Sequence, residues 1–192
     1  MNFNMNIAIY CGSSFGDEKI YQEKAKEIIK YLSTKNVAII YGGSKSGLMG
    51  TISNEAMKLN MEVHGVIPKH LANKEILNDT ISNIYYVKDI RERKAKMEEL
   101  SDAFIAIPGG YGTLEEISEV FTSIQIGSHN KPCALYNQNG YYDKLIQFLE
   151  NCVKEGFVKQ EHLDAIIISD DINHIYNSFL KYKAPKNKWE LS

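Results

Sequence analysis

Short apolar runs alternate with longer amphipathic stretches along the whole chain, and this alternation restricts the fold more than any other feature. The runs are Asn6–Cys11, Val37–Tyr41, Glu62–Ile67, Asn83–Val87, Ala103–Ile107, Pro132–Tyr136 and Ala165–Ile168. They are rich in Ile, Val, Ala and Tyr and are apolar on both alternating faces, as strands covered on both sides must be. Between them lie Glu18–Ser33, Gly47–Leu59, Ile90–Ser101, Thr113–Ile126, Tyr141–Glu155 and Asp171–Tyr182. In the fourth of these, Leu114, Ile117, Phe121 and Ile124 recur at helical spacing and are expected to face the core. Strand–helix alternation implies right-handed crossovers and a doubly wound, Rossmann-like α/β fold: a central parallel sheet of about seven strands with helices on both faces. Residues 1–192 read as one domain, with 183–192 a weakly ordered tail. Leu71–Ser82 lacks periodicity and reads as a mobile loop.

Composition removes several function classes. Lys and Arg number 22 against 24 Asp and Glu, a net charge of −2, which argues against an electrostatic nucleic-acid binder. Cys11, Cys133 and Cys152 are sparse and scattered, as reduced thiols are, and do not suggest a disulfide framework or a zinc site. The histidines (His64, His70, His129, His162, His174) are equally scattered, so no metal is expected. No window approaches the length of a transmembrane helix, and the short polar N-terminus lacks a basic n-region. The expectation is a soluble, cytoplasmic protein.

In such a sheet, ligands bind beyond the carboxyl ends of the strands, where the strand order reverses. Three of those junctions stand out. The first strand is followed by Cys11-Gly12-Ser13-Ser14, where Gly12 permits a tight turn and the hydroxyls can donate to an anion or cap a helix. The second is followed by Tyr41-Gly42-Gly43-Ser44-Lys45-Ser46-Gly47-Leu48-Met49-Gly50. These glycines let backbone approach a ligand or a neighbouring helix closely, and the following helix is expected to present its positive end. The loop is neither a Walker A motif nor G-x-G-x-x-G.

The fifth strand leads into Pro108-Gly109-Gly110-Tyr111-Gly112-Thr113-Leu114-Glu115-Glu116. Its backbone amides and the Thr113 hydroxyl converge where a phosphate fits. Thr113 and Glu116 share a helix face, so Glu116 stands beside such a ligand. Thr-x-x-Glu is also a capping box, and spacing alone does not separate the two readings. Glu115 pairs by spacing with Glu119 on a rim or solvated face. Arg91, Arg93, Lys94 and Lys96 form a basic helix that is either a solvated face or, through Arg93, a ligand contact over the same sheet edge.

These residues resemble the LOG ("Lonely Guy") family, the cytokinin riboside 5′-monophosphate phosphoribohydrolases, whose members have also carried the label lysine decarboxylase. Its P-G-G-x-G-T-x-x-E hallmark is matched by Pro108 to Glu116, and its R-K-x-x-M helix by Arg93, Lys94 and Met97. Cys11–Ser14 matches an early C-G-S-S. The glycine loop matches G-G-G-x-x-G-L-M-G except at Ser44. Asn139-Gly140-Tyr141-Tyr142 and Glu155-Gly156-Phe157 are also similar, and the likeness runs from about Ile7 to Lys181. The helix departs from D-M-H-x-R-K at Ile90 and Arg91.

The resemblance implies hydrolysis of the N-glycosidic bond of a purine nucleoside 5′-monophosphate, to free base and ribose 5-phosphate, without a cofactor. Arg93 and Glu116 would be the catalytic pair. Gly12, Ser13, Gly42, Gly43, Lys94, Met97, Glu115 and the loop from Pro108 to Thr113 would bind substrate. A homodimer, in some members a larger assembly, would help close the site. Glu116 near a helix N-terminus is expected to stay ionised and to stabilise positive charge on the sugar ring. A non-catalytic nucleotide or molybdenum-cofactor carrier of the same fold is the rival reading. Pyridoxal chemistry is not expected, because no lysine is isolated for a Schiff base.

Overall fold

The computed structural model describes residues 5–72 and 77–190. The strands are β1 (Met5–Tyr10), β2 (Val37–Tyr41), β3 (Val63–Pro68), β4 (Asn83–Val87), β5 (Ala103–Ala106), β6 (Cys133–Tyr136) and β7 (Ile166–Ser169). All pair in parallel, in the order β4-β3-β2-β1-β5-β6-β7. The helices are α1 (Lys19–Ser33), α2 (Gly47–Lys58), α3 (Lys69–Leu71), α4 (Ile90–Leu100), α5 (Tyr111–Ile126), α6 (Asp143–Lys154), α7 (Gln160–Asp164) and α8 (Ile172–Lys181). The sheet is the expected one. The short α3 and α7 are additions, each too brief to leave a periodic signal. Among the described residues no helix is long and apolar enough to cross a membrane.

Side-chain alternation along β1 shows why both faces must be covered. Ile7 and Ile9 join the core beneath α1, α2 and α8, whereas Ala8 and Tyr10 join the core on the α4–α5 side. The strand order reverses at β1, which has β2 on one side and β5 on the other. A crevice therefore opens at the carboxyl ends of β1 and β5, where Gly12 and Pro108 follow.

The core-facing stripe of α5 differs from the expected one. Thr113, Ile117, Val120 and Ile124 are buried, Phe121 is partly buried, and Leu114 is 40% exposed. Each helical residue turns about 100°, so a stripe through Ile117 and Ile124 takes in Thr113 and turns Leu114 toward solvent. The expected loop is tethered where it is described. Leu77 bridges to Ser44, the Asn78 N–H donates to Gly43 O at 3.0 Å, and Asn78 Nδ2 donates to Ser53 Oγ at 3.0 Å. Residues 73–76 lie outside the described chain. In the tail, Lys188 N–H donates to Gln125 O at 2.9 Å, and His162 Nε2 lies 3.0 Å from Lys186 O.

Candidate active site

The loops after β1 and β5 are joined directly, with Gly12 N–H donating to Pro108 O at 3.1 Å. The loop after β2 is drawn into the same corner. Gly47 sits at φ +58°, and a side chain there would strike the backbone of Ser13 and Ser14. This contact lets the first amides of α2 reach that loop: Leu48 N–H donates to Gly12 O at 3.1 Å and Met49 N–H to Gly12 O at 3.3 Å. The Leu48 and Met49 amides at the start of α2 are thus spent on protein carbonyls, so the helix presents them to a neighbouring loop. Ser13 and Ser14 do not cap a helix: α1 opens at Glu18 without a side-chain cap. Ser44 Oγ accepts from Ser46 N–H at 3.1 Å and so serves the turn it stands in.

The loop from β5 to α5 has the opposite character. Four successive carbonyls each receive a donor. Tyr142 OH holds Ile107 O at 2.8 Å, and Gly12 N–H holds Pro108 O. Tyr141 OH holds Gly109 O at 2.5 Å, and Leu114 N–H holds Gly110 O at 3.1 Å. The N–H groups of Gly109, Gly110, Tyr111, Gly112 and Thr113 find no acceptor among the described residues. Gly109 is half-buried and Thr113 buried, whereas Gly110, Tyr111 and Gly112 are exposed, and such a run of amides at a helix N-terminus is a cradle whose geometry suits an anion. The helix is capped by Gly110 and starts at Tyr111, two residues earlier than expected. Thr113 is therefore inside the first turn, and the capping-box reading falls. Gly109 has a local role, since a side chain on it would collide with Thr113 Oγ1.

Glu116 lies on the next turn of α5 and meets Arg93 of α4, with Nη2 3.2 Å from Oε1. Asp89 caps α4 by accepting from Arg91 and Glu92 N–H, and Glu92 reaches back to Lys88 N–H at 2.6 Å. That fixed start aims Arg93 across the sheet edge. Gly42 leaves room for it, since a side chain there would occupy the guanidinium's place. Arg93 Nε is buried without an acceptor among the described residues. Burial raises the Glu116 carboxyl to about 6, against the opposing attraction of Arg93. The shift runs opposite to the one expected of a helix terminus, although a value of about 6 still leaves the group mainly ionised at neutral pH. Glu116 is in the second turn, beyond the reach of the terminal amides, and desolvation outweighs the arginine.

The neighbouring charges do not enter the site. Lys94 binds Glu115 at 2.8 Å and Glu119 at 2.5 Å, tying α4 to α5 along the rim. These two glutamates raise the Lys94 pKa. Met97, on the same face as Arg93, is wholly buried in the core and does not line the cleft. Gly43 is also outside the lining and makes its turn at φ +74°.

The cleft has a volume of about 350 Å³. It brings together Gly12, Ser13, Gly42, Arg93, Gly110, Tyr111, Gly112, Thr113 and Glu116. It also includes Cys11, Ser44, Met49 and Ile67, which sequence reasoning did not assign, and Leu71, the start of the stretch 71–76 that the sequence offered as pocket lining and of which 73–76 lie outside the described residues. Met49 sat in a recognised motif and Ile67 at a strand end, but nothing in the pattern aimed them inward. Pro108 and Gly109 instead line an adjoining cavity of about 270 Å³ with Phe15, Tyr21 and Tyr141. Among the described residues no three His, Cys, Asp or Glu side chains gather to hold a metal ion.

Comparison with known proteins fits this arrangement. A family described as possible lysine decarboxylase matches residues 49–179. A cytokinin riboside 5′-monophosphate phosphoribohydrolase of Arabidopsis thaliana is 40% identical over 96% of this chain and 90% of its own length. The chain belongs to the LOG family of phosphoribohydrolases. A further LOG relative, a probable cytokinin riboside 5′-monophosphate phosphoribohydrolase of Oryza sativa subsp. japonica, is 40% identical over 96% of this chain and 78% of its own. The fold extends beyond the LOG family. The molybdenum cofactor binding protein of Rippkaea orientalis superposes with a TM-score of 0.70 at 18% identity, covering 94% of this chain and 98% of that one. At that identity the likeness is one of fold alone.

Proposed function

We propose that this protein hydrolyses the N-glycosidic bond of a purine nucleoside 5′-monophosphate, releasing free base and ribose 5-phosphate. One observation carries the reading: Gly110–Thr113, whose amides find no acceptor among the described residues, and the Arg93–Glu116 pair one helical turn further on both line one cleft. The cradle takes the 5′-phosphate. One turn of helix, about 5 Å, separates it from the carboxylate, which places the ribose beside Glu116. Cleavage develops positive charge on the sugar ring, and ionised Glu116 stabilises it. Glu116 also orients the water that adds its oxygen to C1′, while the departing purine nitrogen takes up a proton. Arg93 holds Glu116 in place and contacts the base or the phosphate. Met49, Ile67 and Leu71 supply an apolar wall for the base.

The site acts in a cytoplasmic homodimer on this reading. Tyr111 is 94% exposed and Leu114 40% exposed at the mouth, an apolar lip suited to a second copy.

The test is release of base from AMP and from N6-isopentenyl-AMP, each run against Glu116→Gln. The expected result is release by the wild-type protein and a fall in turnover of roughly 100-fold or more in the variant. Near wild-type turnover by Glu116→Gln would remove its catalytic role. Binding of both nucleotides without release would favour the carrier reading.

A further inference from the structure

The four clamped carbonyls are not held alike. Ile107 O and Pro108 O are held by the buried Tyr142 hydroxyl and the Gly12 amide, and Gly110 O by α5 itself. Gly109 O is held by Tyr141, which is 42% exposed. The peptide it acts on joins two glycines, and a side chain on Gly110 would meet nothing within 4 Å. Gly109 itself is packed against Thr113 and Gly12, but at the Gly110 end sterics leave the orientation of this peptide open. Within one planar trans peptide the C=O and the next N–H point to opposite sides. Tyr141 stands on the adjoining-cavity side of Gly110, whose other side lines the catalytic cleft. Fixing Gly109 O on Tyr141 therefore turns Gly110 N–H toward the cleft.

The tyrosine is itself held before any ligand arrives. Asn137 Oδ1 accepts from Tyr142 N–H at 2.8 Å, and Asn137 Nδ2 donates to Asp143 Oδ1 at 2.8 Å. This ties together the turn from β6 to α6. The Tyr141 ring packs edge-on against Tyr21 and Tyr142, with centroids 5.8 and 5.0 Å away. The ordering of the phenol is part of folding and is not repeated on binding.

We propose that Tyr141 is a positioning residue for the phosphate cradle, its hydroxyl locking the Gly109–Gly110 peptide so that Gly110 N–H faces the 5′-phosphate. The inference rests on the function proposed above.

The test is Tyr141→Phe, which keeps the ring and removes the hydroxyl, assayed with AMP as substrate and inorganic phosphate as inhibitor. KM and the phosphate inhibition constant are expected to rise together, roughly fivefold to tenfold, the worth of one hydrogen bond. Inhibition by adenosine, which lacks the phosphate, and the thermal midpoint stay near wild type. Wild-type KM and wild-type phosphate inhibition in Tyr141→Phe would overturn the proposal. So would a phosphate defect confined to Tyr141→Leu, since that would assign the effect to ring packing. A wild-type protein that neither turns over AMP nor responds to phosphate would instead refute the phosphoribohydrolase reading, and this proposal with it.

Discussion

Glu116→Gln is expected to make the protein more stable at the pH where it makes the enzyme inactive. Burial raises the Glu116 carboxyl from 4.5 to about 6, even with Arg93 beside it. A tenfold change in ionisation corresponds to about 1.4 kcal/mol, so keeping this carboxylate charged in the fold costs roughly 2 kcal/mol. The lost attraction to Arg93 is already contained in that figure, because the protonated acid lacks it too. The pKa is higher in the folded state than in the unfolded state. The folded protein therefore binds the extra proton between pH 4.5 and about 6. Stability contributed by that proton is complete below 4.5 and lost as pH rises through about 6. Gln keeps the shape and an acceptor for Arg93 without the charge. For a chain of 192 residues, 2 kcal/mol corresponds to a rise in Tm of roughly 4–8 °C. Thermal denaturation by circular dichroism from pH 4.5 to 8 measures it. The gap between variant and wild type should be widest at pH 8 and close toward pH 4.5. A variant less stable at pH 8, or a gap independent of pH, would mean the Arg93–Glu116 pair is a net stabilising bridge and the reasoning is wrong.

The same group predicts an acid limb in activity: kcat/KM should fall as pH drops through about 6, where Glu116 takes up its proton. A limb centred near an ordinary glutamate value would contradict the role of burial. Gly42→Ala puts a methyl where the Arg93 guanidinium lies. It should lower kcat/KM more than tenfold while costing about 1–3 kcal/mol in chemical denaturation. Gly112→Ala enters open space inside a helix. Its denaturation midpoint should be unchanged or raised, since Ala exceeds Gly in a helix by roughly 0.5–1 kcal/mol.

Hydrophobic periodicity was enough to place β2 and β4 at the ends observed and the other strands within a residue or so, because a buried parallel sheet leaves uninterrupted apolar runs. Motif spacing likewise brought Thr113, Glu116 and Arg93 to one edge. It was silent on direction. Gly42 and Gly47 belong to one glycine-rich loop, yet one makes way for Arg93 and the other for the Ser13–Ser14 backbone. That difference depends on where Cβ would point and on a neighbour distant in sequence. Met97 shares a helix face with Arg93, but one turn further along α4 that face is already against the sheet. The raised pKa of Glu116 was hidden for the same reason, since burial is a property of everything packed around the residue. Tyr141 and Tyr142 stood in a stretch similar to the family, Asn139–Tyr142, but nothing in the sequence pointed to their hold on Gly109 and Ile107, which lie 32 and 35 residues away in the chain.

The Tyr111, Gly112 and Thr113 amides and the Glu116 carboxylate ride on a single rod, α5, while Arg93 and the aliphatic side chains of Met49, Ile67 and Leu71 come from separate pieces of chain. On the proposed function, helical rise would work as a fixed gauge for the sugar-phosphate half of the substrate, insensitive to small shifts of α2 or α4. The half that varies among nucleotides is measured by independent parts. If the proposed function holds, descendants of such a chain could retune which base they accept by exchanging three aliphatic side chains, leaving the gauge that sets the reacting bond untouched.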